Sequence, residues 1–120
     1  MSSTRIGLVV RSAPFAGRSG RDQLDIALAA ATLGFEIEIC FLGEAVLQLS
    51  PGISPEAAGL PGGIRGWRSL PELTRVTAWA NGREFDSHSA ANGHWALDLR
   101  AATKTQMAAR MAACARVLVL

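Results

Sequence analysis

Residues 5–42 read RIGLVVRSAPFAGRSGRDQLDIALAAATLGFEIEICFL, and this stretch decides the fold. Arg5 to Val10 is a short apolar run ending in a loop, the pattern of a buried strand. Pro14, Gly17 and Gly20 punctuate the loop, which also carries Arg11, Arg18 and Arg21. Ser19 with Asp22 three residues on resembles an N-terminal capping pair, with Asp in place of the longer Glu. Leu24, Ala27, Leu28 and Ala31 then fall on one helical face, and Gly34 supplies the C-cap. Phe35 to Leu42 alternates at first and becomes wholly apolar, which predicts a second strand. Strand, helix and strand with connections this short form a βαβ unit, whose right-handed crossover makes the sheet parallel.

Beyond this unit, Glu44–Leu49 reads as one or two helical turns. Pro51, Gly52, Pro55, Gly59, Pro61, Gly62 and Gly63 make the most punctuated region, a loop rather than a domain boundary. Leu70–Leu73 predicts a short helix leading into a third strand, Val76–Ala80. Asn81-Gly82 after a central strand starts a loop rather than a hairpin. His94–Leu97 reads as a short strand and Ala101–Ala113 as a helix, with Met107, Met111 and Cys114 along its buried stripe. Arg116–Leu120 closes with a strand. The expectation is a single small α/β domain over residues 1–120, its mostly parallel sheet flanked by helices on both faces. So few and such short helices leave an edge or part of a face bare, and a partner subunit is its natural cover.

The chain has 120 residues, 49% of them hydrophobic, enough for a core in one domain. Apolar stretches are too short and too interrupted to span a bilayer. The Met1–Arg5 segment leads straight into a strand-like run without a signal-peptide pattern, so the expected location is the cytoplasm. Formal charge is +2 and uneven. Residues through Leu60 hold four Arg against six acids, whereas those from Pro61 hold seven Arg and one Lys against four acids. Without a dense basic cluster, and without any Tyr, direct nucleic-acid binding is not expected. Cys40 and Cys114 lie inside apolar runs and read as two buried free thiols. No Cys, His, Asp or Glu spacing resembles a metal site, and no cofactor is expected.

The opening loop does not match a nucleotide fingerprint. Gly17-Arg18-Ser19-Gly20 has neither the G-x-G-x-x-G nor the Walker A spacing, and no Lys follows. An anion at the helix start beside Arg18 and Arg21 remains open, as do a solvated loop and an interface loop. His88 and His94 are the only histidines, and no G-x-S-x-G elbow accompanies them. Asp22, Asp25 and Glu44 fall where α/β sheets bind ligands, although an acid at a helix start is usually a cap. Cys40 in a core run and Cys114 at a helix end are both unsuited to a thiolate. Trp67, Trp79 and Trp95 read equally as core residues and as interface anchors.

RSAPFAGRSGRDQLDIAL followed by CFLGEAVLQLSPGISP resembles the TusC/DsrF subunits of the DsrE-like sulfur-relay family. Ser12, Pro14, Gly20, Arg21, Leu24 and Asp25 fit the family's S-x-P…G-R-x…L-D segment. Val46, Gln48, Leu49, Pro51, Gly52 and Pro55 fit its second segment. Gly43-Glu44-Ala45-Val46 departs from the usual acidic-Gly-Val turn, Ile53 stands where Gln is common, and AWANGREF replaces the usual sequence after the third strand. The resemblance implies a five-stranded, largely parallel sheet and persulfide chemistry carried by a cysteine after the third strand of a partner. Here the matching position falls at about Thr77, which cannot carry a persulfide, so a non-catalytic subunit is implied, with no catalytic, cofactor or metal residue of its own. The implied partners are TusB/DsrH-like and Cys-bearing TusD/DsrE-like subunits in a 2:2:2 heterohexamer. Such a complex relays sulfur toward 2-thiouridine at the tRNA wobble position or, for DsrF-like members, serves sulfur oxidation. Ser12, Pro14, Gly20, Arg21, Gln48 and Pro51 are then the expected docking or anion-site loops. The alternative is a homo-oligomeric α/β protein that binds a small anion.

Overall fold

The computed structural model describes residues 4–11, 19–49, 64–83 and 95–120, the side chains of residues 19–21, 64 and 65 excepted. Strand β1 (Arg5–Val10), helix α1 (Ser19–Thr32) and strand β2 (Glu36–Phe41) form the βαβ unit read from the opening stretch. A 3-10 helix (Gly43–Leu49), helix α2 (Ile64–Leu73), strands β3 (Val76–Asn81) and β4 (Leu99–Ala102), helix α3 (Lys104–Ala112) and strand β5 (Arg116–Val119) follow. The strands order as β4-β3-β2-β1-β5, and all four pairings are parallel.

Helix α1 stops where its sequence requires. The Gly34 N–H donates to the Ala31 carbonyl and the Phe35 N–H to that of Ala30, the paired bonds of a Schellman turn. That turn needs a left-handed residue, and Gly34 supplies it with φ of 91°. Leu24, Ala27 and Ala31 are buried, as their spacing predicts.

β2 is the central strand, and its alternation divides two cores. Ile37, Ile39 and Phe41 pack with Leu8, Val10, Leu24, Val46 and Trp67 on the side of α1, α2 and the 3-10 helix. Cys40 joins Ala102, Met107 and Met111 on the α3 side. The Phe41 and Trp67 rings meet edge to face, centroids 5.4 Å apart. Gly66 lets α2 approach α1, because a Cβ there would stand 2.3 Å from Leu24 Cδ2.

Three expected boundaries move. Helix α2 begins at Ile64 rather than Leu70, with Pro71 inside it, because burying Trp67 and Leu70 outweighs the backbone bond that proline removes. The fourth strand is Leu99–Ala102, not His94–Leu97: the Ala96 N–H donates to the Leu49 carbonyl, while Trp95 and Ala96 pack on the core. Helix α3 starts at Lys104 rather than Ala101, since Ala101 and Ala102 pair with β3 and Thr103 forms a capping box with Gln106. The last helical turn therefore ends before Cys114, which is half-buried rather than buried, and neither cysteine is in a disulfide. Strand β5 is exposed throughout its four residues, so the edge expected to be bare is this one.

Candidate functional site

On the α3 side, the central strand places a carboxylate where an apolar residue would be expected. Glu38 is only 1% exposed, and in register it lies between Gly7 of β1 and Thr77 of β3. Gly7 leaves room for the side chains of Met111 and Cys114: a Cβ there would come within 2.7 Å of Met111 Sδ and 3.2 Å of Cys114 Sγ. Arg110, one residue before Met111, then reaches Glu38.

A buried carboxylate costs several kcal/mol unless its oxygens are fully engaged. Here they are. Trp79 Nε1 donates to Oε1 at 2.7 Å and Arg110 Nε to the same oxygen at 2.5 Å. Arg110 Nη2 donates to Oε2 at 3.1 Å, and Arg5 Nη1 lies 3.5 Å from Oε2. The guanidinium groups of Arg110 and Arg100 stand over the Trp79 ring, 5.4 and 5.8 Å from its centroid. The hydrogen bond to Glu38 pushes the Arg110 pKa further up, against partial desolvation.

Burial and then the same carboxylate act on both thiols. Cys40 follows Glu38 by two residues on the same face of β2, and burial first, then the negative charge of Glu38, pushes its pKa up to about 12. Cys114 is shifted upward for the same two reasons, in the same order, and its Sγ donates to the Arg110 carbonyl at 3.4 Å. Both sulfurs are thus held as thiols at neutral pH, the form that does not attack an S–S bond.

Beside the cluster, a cavity of about 700 Å³ opens at the C-terminal ends of β1, β2 and β3. Val9 and Cys40 line it from the sheet, Met107 and Met111 from α3, and Arg83 and Lys104 supply its cations. The Arg83 backbone N–H donates to Asn81 Oδ1 just past the end of β3. Among the described residues, no three of His, Cys, Asp and Glu come together to hold a metal ion.

Those residues proposed from sequence that the structure describes do not line this cavity. Ser12, Pro14 and Pro51 are outside the described residues, as are His88 and His94. Gly20 and Arg21 belong to the first turn of α1. Gln48 is buried in the 3-10 helix, where its Nε2 donates to Gln23 Oε1 of α1 at 3.0 Å. Asp22, Asp25 and Glu44 are exposed. Thr77 is the second residue of β3, directly beside Glu38. Sequence reasoning missed Glu38 and Arg110 and gave Trp79 only as a core or interface residue; the three meet only when the chain folds, and the available signal was a second Glu in the middle of the central strand, on the same face as Cys40.

Comparison with known proteins gives the family and the fold. The family model of the DsrE/DsrF-like family matches residues 4–120. A protein TusC homolog from Aliivibrio fischeri is 44% identical over 52 residues, which make up 43% of this chain and 44% of that protein. The chain thus spans less than half the length of that relative in the match. The crystal structure of the ychN protein from E. coli superposes with a TM-score of 0.72 over 98% of this chain and 99% of the other, at 16% identity, a likeness of fold.

Proposed function

This chain belongs to the DsrE/DsrF-like family, and from that premise we propose that it is a non-catalytic structural subunit of a sulfur-relay complex. The observation that carries the reading is the state of its only two cysteines. A persulfide carrier needs an accessible sulfur that ionises readily. Cys40 is buried with its pKa pushed up to about 12, and Cys114 is also shifted upward. Thr77 stands near the start of β3 rather than after it, and the stretch that does follow β3, residues 82–94, where the resemblance puts the family's sulfur-carrying cysteine, holds no Cys. The sulfur then travels on a Cys-bearing TusD/DsrE-like partner, with a TusB/DsrH-like subunit completing a 2:2:2 heterohexamer. The likeness to a TusC homolog favours a role in forming 2-thiouridine at the tRNA wobble position over a role in sulfur oxidation. The proposed location is the cytoplasm; among the described residues, no helix is long and apolar enough to cross a membrane.

The test is co-expression with the Cys-bearing homologues, purification through a tag on this chain, and native mass spectrometry. A 2:2:2 complex that keeps thiolation activity when Cys40 and Cys114 are both replaced supports the proposal. A homo-oligomer that takes up no homologue overturns it, as does loss of activity in Cys114→Ser with assembly intact.

A further inference from the structure

Helix α3 packs chiefly on β1 and β2. On the same face of the sheet, β3 and β4 present Thr77, Trp79 and Arg100, none of them fully buried. Three guanidinium groups, from Arg5, Arg100 and Arg110, gather there around one carboxylate and one indole ring, those of Glu38 and Trp79. Glu38 is 1% exposed, whereas the Arg5 and Arg110 side chains are 36% and 42% exposed and Arg100 is exposed as well. The negative charge is therefore beneath the surface and the positive charge on it. The Arg100 guanidinium makes no hydrogen bond or ion pair with a described residue, Asp98 two positions before it included, and stands over the Trp79 ring. We propose that this surface docks an acidic segment of a partner protein, whose carboxylates engage Arg100 and Arg110 beside the Trp79 ring.

Charge complementarity and geometry select that occupant. A guanidinium presents its N–H groups as a planar fork, which a carboxylate can meet with two bonds. Stacking on Trp79 holds the forks of Arg100 and Arg110 in place before binding, so less side-chain freedom is lost on docking. Trp and Arg are also the residue types that anchor protein interfaces. RNA fits less well. Single strands bind by stacking bases on free aromatic faces, and here two guanidinium groups already stand over the ring. Three arginines also fall short of the basic stripe that follows a nucleic-acid backbone. This surface lies across the sheet from α1 and its Arg21, so docking here is independent of the sulfur-relay reading.

The isotope-labelled full chain is titrated at low salt with an acetylated hexaglutamate amide and followed by NMR through the Trp79 indole N–H. Hexaglutamine and a hexauridylate RNA are titrated for comparison. The expected result is a saturable shift at Trp79 with hexaglutamate, weakened by added salt, and no shift with hexaglutamine. Hexauridylate binds about tenfold less tightly or weaker still. Arg100→Gln and Arg100→Glu each weaken hexaglutamate binding by about tenfold or more, the loss of one charge-assisted contact. Arg116→Glu alters an exposed arginine of β5 that pairs with Ile6 on the opposite face, and changes the affinity by less than about twofold. Amide spectra show the native fold of each variant, and Arg100→Gln decides the matter if Arg100→Glu loses it. Absence of a saturable shift at Trp79, an equal response to hexaglutamine, or a loss with the Arg100 variants no larger than with Arg116→Glu overturns the proposal. Hexauridylate binding as tight as that of hexaglutamate overturns it too, by making the occupant a nucleic acid.

Discussion

Arg110 of α3 holds Glu38 of the central strand through both carboxylate oxygens, Nε to Oε1 at 2.5 Å and Nη2 to Oε2 at 3.1 Å. This pair ties the last turn of the helix to the middle of the sheet. Removing the cation alone strands a buried charge, which costs about 3–5 kcal/mol when the pair is fully buried. The Arg110 side chain is 42% exposed and Arg5 remains as a second cation, so Arg110→Met is expected to cost about 2 kcal/mol. Urea denaturation measures it. Adding Glu38→Gln to Arg110→Met is expected to restore at least half of the loss, because no buried charge then lacks its partner while Trp79 Nε1 keeps an acceptor. A double variant no more stable than Arg110→Met would show that helix packing, not charge, sets the cost.

The thiol of Cys40 gives a signature in pH. With its pKa raised from 9.0 to about 12, the native state keeps a proton that the unfolded chain releases. Stability from this group is fully present below pH 9 and falls as pH rises toward about 12, because the unfolded state there binds fewer protons. Denaturation midpoints measured across this window are expected to decline in the native sequence more steeply than in Cys40→Ala. At pH 8, the shift lowers the thiolate fraction of Cys40 by about a thousandfold, so alkylation by iodoacetamide is expected to be slower than in the urea-unfolded chain by at least that factor. Equal rates in the folded and unfolded chain would refute the shift.

Gly66 and Leu24 set the spacing of α1 and α2. A methyl group at residue 66 would stand 2.3 Å from Leu24 Cδ2, and Leu24 is itself buried in the main core. Gly66→Ala gains helix propensity of about 1 kcal/mol and loses about 1–3 kcal/mol to overpacking. A net destabilisation of about 1 kcal/mol is expected in thermal or urea unfolding. Leu24→Val in the same chain opens room for the methyl group, and the two changes together are expected to cost less than their sum. Strict additivity would mean that the helices do not touch at this point.

How far the sequence foretells the fold depends on where its signals lie. The α1 boundary is readable because Gly34 is the residue that a Schellman turn demands, three to four positions from its bonding partners. Thr103-x-x-Gln106 is an equally local signal for the start of α3. Ala101 and Ala102 obscure it: their helix propensity favours an earlier start, and only pairing with Ala80 and Asn81 holds them in a strand. The cluster at Glu38 is a different case. Its partners stand 41 and 72 residues away, so no local periodicity reports them. A Glu in an alternating strand reads as a solvent-facing residue until β1 and β3 close over both flanks and α3 covers the face. The cavity is illegible for the same reason, since it is the space left between Cys40 and Met107 rather than a property of either.

Two of the expected interface residues in the described chain, Gln48 and Arg21, separate assembly from stability. Gln48 is buried and bonded to Gln23 between the 3-10 helix and α1. Gln48→Ala removes that buried bond, a loss of about 1 kcal/mol in the isolated chain. Arg21 stands in the first turn of α1, where a positive charge opposes the helix dipole. Arg21→Glu therefore leaves the isolated chain at least as stable, while reversing the charge that the proposed docking loop offers a partner. The expected outcome is an unchanged or higher melting temperature together with weakened capture of the Cys-bearing homologue, read by native mass spectrometry at increasing salt. A complex that forms equally well with Arg21→Glu at low and high salt would place the contact elsewhere, and the exposed strand Arg116–Val119 is then the next surface to alter.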